Sequence, residues 1–184
     1  KEIHIGLRPG EKKELEEQFE ELKKLNKILS AVTVSNKRTR DMAFSRQSLV
    51  SEMFRATARA KIRAVKEYIK GIIQDNDQKI VIYGFHMITL DAIEEVVSNA
   101  KEPYIRIDGK TPQEVRQGLV DTFQGSGARV AILSIGAANS GITLTSCSYM
   151  IFAELTWTSS LLQQCEDRFV FRWAANAFCF VSFF

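Results

Sequence analysis

The chain has 184 residues, of which 45% are hydrophobic and 26% charged, and its formal net charge is +3. This length and composition fit one globular domain with a sizeable core. The net charge is too small to show by itself that the partner is a nucleic acid. Two basic clusters, at 36–40 and between Arg55 and Lys66, could bind phosphates, but a solvated helix face explains each one equally well.

The cysteines and histidines predict neither a disulfide framework nor a metal site. The three cysteines are odd in number and lie far apart, and the two histidines, His4 and His86, are isolated. This usage suits a reducing compartment. The first residue is Lys1 rather than Met, so we expect the chain to be a fragment of a longer protein.

The first part of the chain is predicted to be mostly helical. Leu15, Phe19, Leu22 and their neighbours recur at helical spacing, with Glu and Lys between them. The predicted elements are a short strand at Glu2–Leu7, a turn at Pro9-Gly10, a helix at Glu11–Leu29, a polar loop at Ser30–Ser45 and a helix at Gln47–Gln74. We interpret residues 1–46 as a linker or helical lead-in.

From Lys79 onward, short apolar runs alternate with amphipathic segments. The predicted strands are KIVIYG, Tyr104–Asp108, RVAILSI and Tyr149–Ala153. The predicted helices are Thr89–Ala100, a helix from Pro112 to about Phe123 with Thr111 as its N-cap, and Ser159–Arg168. Asp75–Asp77 and Gly125–Gly127 are predicted to be turns or loops. The alternation predicts an α/β fold with a parallel sheet and right-handed crossovers.

In such a fold, ligands bind where the strands end. The loops expected there are Gly84–Met87, Asp108–Thr111, Ser134–Gly141 and Glu154–Thr158. The small residues Gly136, Ala137, Ala138 and Gly141 would let the backbone approach a phosphate, and Asn139 and Ser140 could donate to one. A phosphate could also be bound by the predicted turn at Gly109, the cation of Lys110 and the hydroxyl of Thr111. A tight packing corner and a simple N-cap are the corresponding structural alternatives.

Several sequence motifs resemble those of one family when they are read in chain order. A lead-in helix of the family resembles EMFRATARAKIRAVKEYI, and its motif IV resembles KIVIYGFHMITLDAIEEV. Its I-x-I-D-G-x-T element is matched by YIRIDGKT, and its motif V by SIGAANSGITLT. Its F-A-E-L-x-W element is matched by MIFAELTW, and the start of its motif VI by QCEDR. Residues 47–168 therefore resemble the second RecA-like lobe of SWI/SNF-type superfamily 2 helicases. Within that family they look most like the HARP-subfamily annealing helicases.

This resemblance implies roles for particular residues. Arg168 would face the γ-phosphate of ATP as the catalytic arginine, with Gln164, Asp167 and Gly141 completing or coupling the ATP site. DNA phosphates would be contacted through the motif IV and V loops, with Gly109, Lys110, Thr111, Asn139 and Ser140 as the binding residues. For Arg168 alone, a surface ion pair on a helix is the structural alternative.

The resemblance also implies ligands and partners that lie partly outside the chain. ATP and Mg²⁺ would be bound mainly by a first lobe upstream of Lys1, since the 184 residues contain no G-x-x-x-x-G-K-[ST] motif. We therefore expect the chain alone to bind ATP weakly and not to hydrolyse it. The expected partners are that first lobe and DNA, such as branched DNA or single- and double-strand junctions, in the nucleus.

The resemblance ends after Arg168. Family motif VI has a second arginine at the position of Phe171, and Arg172 comes one residue too late. The Phe-rich tail, 169–184, has three interpretations: a gene-model or splicing error, a diverged terminal strand or helix on the sheet, or a membrane segment, which its length disfavours. A truncated, non-catalytic module that binds DNA or protein remains the alternative function, and an RNA-dependent helicase is a weaker third.

Overall fold

The computed structural model describes residues 2–4, 9–31, 37–75, 77–137, 144–156, 159–167 and 177–182. Contacts divide the chain into two compact units. We call Gly6–Lys61 the helical unit, and Lys1–Ile5 together with Ile62–Phe184 the sheet lobe.

The helical unit contains helix α1 (Pro9–Ala31) and the first part of helix α2 (Lys37–Asp75). The two helices are joined by a hydrogen bond from Arg46 Nε to Asn26 Oδ1 of 2.5 Å. The predicted turn at Pro9-Gly10 is wrong, because Pro9 begins α1, where its fixed φ suits the first turn. The predicted loop is also wrong from Lys37 onward. That segment is polar, but Lys, Arg, Met and Ala favour helix, and its side chains from 40 to 48 are nearly all exposed.

The sheet lobe is built on a six-stranded, wholly parallel sheet in the order β1-β6-β5-β2-β4-β3. The strands are β1 (Glu2–His4), β2 (Ile80–Gly84), β3 (Tyr104–Ile107), β4 (Val130–Ser134), β5 (Tyr149–Phe152) and β6 (Ala177–Ser182). The predicted α/β class and parallel sheet are confirmed. Of the predicted first strand, residues 5–7 lie outside the described part of the chain.

Helices cover both faces of the sheet, so β2 is buried at all five positions. Val81 and Tyr83 face one core cluster, together with residues of α4 (Gln113–Gln124) and α5 (Ser159–Asp167). Ile80 and Ile82 face the other, with residues of α2 and α3 (Met87–Asn99). A strand buried on both faces reads as a continuous apolar run, which is why KIVIYG is recognisable in the sequence.

The Phe-rich tail contributes a strand to the sheet. β6 pairs in parallel with β5, with Met150 opposite Phe178, and also with β1. This agrees with the interpretation of the tail as a terminal strand that packs on the sheet. Among the described residues, no helix combines the length and the hydropathy needed to cross a membrane.

The burial of Phe123 in the core predicts a large effect of its removal on the free energy of unfolding. Phe123 on α4 is fully buried, whereas Val115 on the same helix is 49% exposed. We expect Phe123→Ala to lower the free energy of unfolding by about 3–5 kcal/mol, because it leaves a cavity between α4 and the sheet. Val115→Ala is the matched control and should change it by less than about 0.5 kcal/mol. Urea denaturation checks both, and equal effects would contradict the packing described here.

Candidate functional site at the carboxyl edge of the sheet

The carboxyl ends of all six strands meet at one edge because the sheet is wholly parallel. Backbone hydrogen bonds continue across this edge beyond the strands. Ile135 N–H donates to Gly84 O at 2.9 Å, and Ala153 N–H donates to Tyr83 O at 2.9 Å. The loops that follow β2, β4 and β5 therefore leave the sheet side by side, as the sequence predicts.

The turn after β3 is organised by a buried carboxylate. Asp108 is only 5% exposed. Its carboxylate accepts hydrogen bonds from the backbone N–H of Lys110 at 2.8 Å and from Arg106 Nε at 3.0 Å. Its own N–H donates to Thr111 Oγ1 at 3.0 Å. The predicted N-cap role of Thr111 is therefore wrong: α4 begins at Gln113, Pro112 holds the cap position without a side-chain cap, and the Thr111 hydroxyl serves the turn.

A second arginine supports the same turn from the α4 side. Arg116 donates from Nε to Thr111 O at 3.1 Å and from its guanidinium to Asp108 O at 3.4 Å. With these carbonyl groups engaged, the turn presents Gly109 and Lys110, which are exposed, and Thr111, which is half-buried. The arrangement offers a cation and a backbone turn to an anionic ligand.

Burial raises the pKa of Asp108, but the hydrogen bond from the Lys110 N–H and the Arg106 guanidinium lower it more, so the net pKa lies below its usual range. Arg106 is itself held by Asp91 Oδ1 at 2.8 Å and Glu94 Oε2 at 2.5 Å on α3. Asp108 is therefore ionised at neutral pH and remains a hydrogen-bond acceptor for the turn.

A second buried carboxylate joins the loop after β2 to the segment after β5. Glu154 is 2% exposed. Its Oε2 accepts from the N–H groups of Phe85 at 2.7 Å and His86 at 2.8 Å, and its Oε1 lies 2.7 Å from His86 Nδ1. Burial raises the pKa of Glu154, but these three hydrogen bonds and the nearby imidazole outweigh it, so the pKa is lowered. Because an ionised carboxylate only accepts, His86 Nδ1 carries the hydrogen.

Sequence reasoning missed this contact, which we call the Glu154 clamp. In the sequence, His86 is an isolated histidine, and its partner Glu154 lies 68 positions away. The available signal was positional: both residues lie in loops predicted to follow strands, and parallel strands bring such loops together.

The described part of the chain includes only some of the predicted site residues. Gly109, Lys110 and Thr111 share the turn after β3. Gln164 lies on α5 and is exposed, and Asp167 ends that helix. Arg168, Asn139, Ser140 and Gly141 lie outside the described residues, so their roles stay predictions. Within the described part of the chain, no group of three or more His, Cys, Asp or Glu side chains could hold a metal ion.

The Glu154 clamp predicts a pH-dependent stability. We expect Glu154→Gln to lower the free energy of unfolding at pH 7 by about 1–3 kcal/mol, because one amide oxygen cannot accept all three hydrogen bonds. A carboxyl with a lowered pKa stabilises the fold fully above its unfolded pKa and loses this contribution as pH falls through its folded pKa. The difference between wild type and variant should therefore shrink toward about pH 3.

Urea denaturation at both pH values measures this difference. Glu95→Gln is the control, since Glu95 pairs with Lys66 at 2.7 Å but is 60% exposed. It should change stability by less than about 1 kcal/mol. A difference between wild type and Glu154→Gln that stays constant with pH would contradict the clamp.

Comparison with known proteins identifies the family. The family described as "Helicase conserved C-terminal domain" matches residues 60–170. The DNA annealing helicase and endonuclease ZRANB3 of Mus musculus is 40% identical over 167 residues, which cover 90% of this chain and 15% of that protein. The SWI/SNF-related matrix-associated actin-dependent regulator of chromatin subfamily A-like protein 1 of Drosophila melanogaster is 42% identical over 123 residues, which cover 66% of this chain and 16% of that protein.

Solved structures show the same fold. The C-terminal part of the Fun30 ATPase domain has a TM-score of 0.59 and 28% identity, covering 67% of this chain and 41% of that one. The Sulfolobus solfataricus SWI2/SNF2 ATPase C-terminal domain has a TM-score of 0.65 and 17% identity, covering 98% and 77%. The chain spans about 15% of the length of its curated relatives. It belongs to the helicase C-terminal domains of SWI/SNF-type superfamily 2 ATPases, and its relatives include the annealing helicases.

Proposed function

We propose that the chain is the second lobe of an ATP-dependent DNA translocase of the annealing-helicase type, which acts in DNA remodelling and replication-fork repair in the nucleus. The proposal is carried by one observation: the turn after β3 presents Lys110 at the carboxyl edge, held by the buried Asp108 carboxylate. Family membership supplies the reaction class, and this preorganised turn supplies a phosphate contact. Residues 47–168 would form the lobe, after a lead-in at 1–46.

In this mechanism, DNA lies across the loops at the carboxyl edge. Gly109, Lys110 and Thr111, with Asn139 and Ser140 of motif V, contact the strand without reading its sequence. Gln164 and Asp167 on α5 orient the ATP side, with Gly141 in the coupling loop. Lobe closure would bring Arg168 to the γ-phosphate, where its charge stabilises the transition state. ATP and Mg²⁺ would be held mainly by a P-loop lobe, since this sequence carries no P-loop motif.

A binding module without catalysis is the second candidate. Phe171 replaces the second motif VI arginine, and an aromatic side chain cannot stabilise the developing charge. In that case, the carboxyl edge would still bind DNA, but the chain paired with a P-loop lobe would not support turnover.

Lys110 should contribute one electrostatic contact with DNA. We expect Lys110→Ala to weaken binding by a similar factor for all sequences and to reduce the salt slope of log K by about 1, because one fewer counterion is released. Fluorescence anisotropy with labelled DNA at several salt concentrations measures the slope.

The control for this measurement is Lys70→Ala. Lys70 is also an exposed lysine, but it lies on α2 shortly before the amino end of β2. It should leave the slope unchanged. An unchanged slope for the Lys110 variant would remove that residue from the DNA contact.

The ATPase prediction concerns Arg168. The chain alone should show no turnover of Mg-ATP, with or without fork DNA. When the chain is joined to a P-loop lobe of the same family, we expect DNA-stimulated turnover. Arg168→Ala should then lower kcat by about 10³-fold, since an arginine at the γ-phosphate typically contributes at least this much.

Arg63→Ala is the matched control, because Arg63 is an exposed arginine on α2 that pairs with Glu67. It should leave kcat unchanged. No turnover by the joined protein would favour the binding module, and turnover by the chain alone would contradict the need for a P-loop lobe. Greater stimulation by RNA than by fork DNA would favour an RNA-dependent helicase.

A further inference from the structure

The exposed apolar side chains of the sheet lobe are concentrated at the carboxyl edge. Among its described residues, four large apolar side chains are exposed: Phe85 at 39%, Met87 at 37%, Ile88 at 44% and Val115 at 49%. The first three lie in the loop after β2 and the first turn of α3, and Val115 lies in the first turn of α4. The three that are consecutive or nearly so, Phe85, Met87 and Ile88, form an apolar patch at the edge where ligands bind in such folds and mark a contact surface, whereas Val115 lies apart from them on α4. We call residues 85–88 the apolar loop.

Much of the polar backbone at the start of the apolar loop is already engaged. The N–H groups of Phe85 and His86 donate to the Glu154 carboxylate, and the His86 carbonyl accepts from the N–H groups of Thr89 and Leu90. The N–H groups of Phe85 and His86 therefore cannot also donate to DNA phosphates. A negative carboxylate lies directly beneath the loop, which further disfavours a phosphate there. Phe85 and His86 therefore present their side chains, not their backbone N–H groups, to a ligand at this edge.

Phe85 is held in a defined position. The Glu154 clamp fixes its backbone N–H, and its ring packs edge-to-face on the His86 ring, with a centroid distance of 5.1 Å and an interplanar angle of 74°. A partly exposed aromatic ring that is preorganised in this way suits stacking, because little side-chain freedom is lost when a planar ligand packs on it.

We propose that the apolar loop is a stacking site for unpaired DNA bases, with Phe85 as the stacking group. This inference rests on the proposed function. It differs from the sequence-based expectation that the motif IV loop contacts phosphates. β2 and β3 are separated only by β4, so the apolar loop and the Lys110 turn lie about 10 Å apart along the edge. A single strand crossing both would place a phosphate at Lys110 and a neighbouring base on Phe85.

The chemistry of stacking predicts which DNA binds. Every base has a π-face, so the contact tolerates any sequence. The bases of an intact duplex are already paired and stacked on each other, so a duplex offers no face to Phe85. The apolar loop should therefore add affinity for single strands and for the unpaired arms of junctions, and should add none for blunt duplex.

The test measures binding of the 184-residue chain to labelled oligo(dT) and to blunt duplex of equal length, across several salt concentrations. We expect Phe85→Ala to weaken oligo(dT) binding about tenfold, with an unchanged salt slope, and to leave duplex binding within about twofold. Phe85→Leu should lose as much oligo(dT) affinity as Phe85→Ala, because leucine keeps apolar area but has no ring on which a base can stack. Phe85→Trp should retain affinity, and its added fluorescence should be quenched by oligo(dT).

Val115→Ala changes an exposed apolar residue at the same edge but outside the apolar loop; it is the matched control and should bind oligo(dT) like wild type. Unchanged oligo(dT) binding by Phe85→Ala, or full binding by Phe85→Leu, would overturn the stacking site. A reduced salt slope in Phe85→Ala would reassign the loop to phosphates. Loss of affinity for a P-loop lobe without loss of oligo(dT) binding would reassign it to a protein contact. If wild type itself shows no salt-dependent DNA binding, the proposed function fails rather than the loop alone.

Discussion

Two buried carboxylates determine the shape of the carboxyl edge. Asp108 directly follows β3 and Glu154 lies two residues after β5, and both are almost fully removed from solvent. Burying a charge is costly unless it is paired and hydrogen-bonded. Asp108 accepts from one backbone N–H and from the Arg106 guanidinium, and Glu154 accepts from two backbone N–H groups and from the His86 ring. Each carboxylate thus fixes the backbone of a loop at the carboxyl edge.

The positions of the strands along the chain could be predicted from the sequence, because a strand buried on both faces leaves a strong local signal. β2 and β4 are short apolar runs bounded by turn residues, and the structure forms them within a residue or two of the expected bounds. The start of α2 could not be found in this way. The apolar residues among its first ten are Met42, Ala43 and Phe44, which are consecutive rather than at helical spacing, so no apolar periodicity separates this segment from a loop.

The site was harder to predict than the fold, for a physical reason. The Asp108 turn is local, since the partners of Asp108 lie within three residues, except Arg116 on α4. The sequence predicts this segment as a turn before α4. Even there, the sequence pattern predicts that the Thr111 hydroxyl caps α4, whereas in the structure this hydroxyl accepts a hydrogen bond from the Asp108 N–H. The Glu154 clamp depends on two strands lying side by side, which no local pattern encodes. The predicted role of Arg168 depends on a P-loop lobe and therefore stays a prediction.

The position of the Glu154 clamp has a consequence for coupling between the two sides of the lobe. Glu154 lies on the short segment that leads from β5 to α5, and α5 carries Gln164 and Asp167. The same carboxylate holds the apolar loop through Phe85 and His86. In the proposed mechanism, a shift of α5 on lobe closure would reach the apolar loop through this hydrogen-bonded contact. It would not need to pass through the interior of the sheet, which is close-packed and resists deformation.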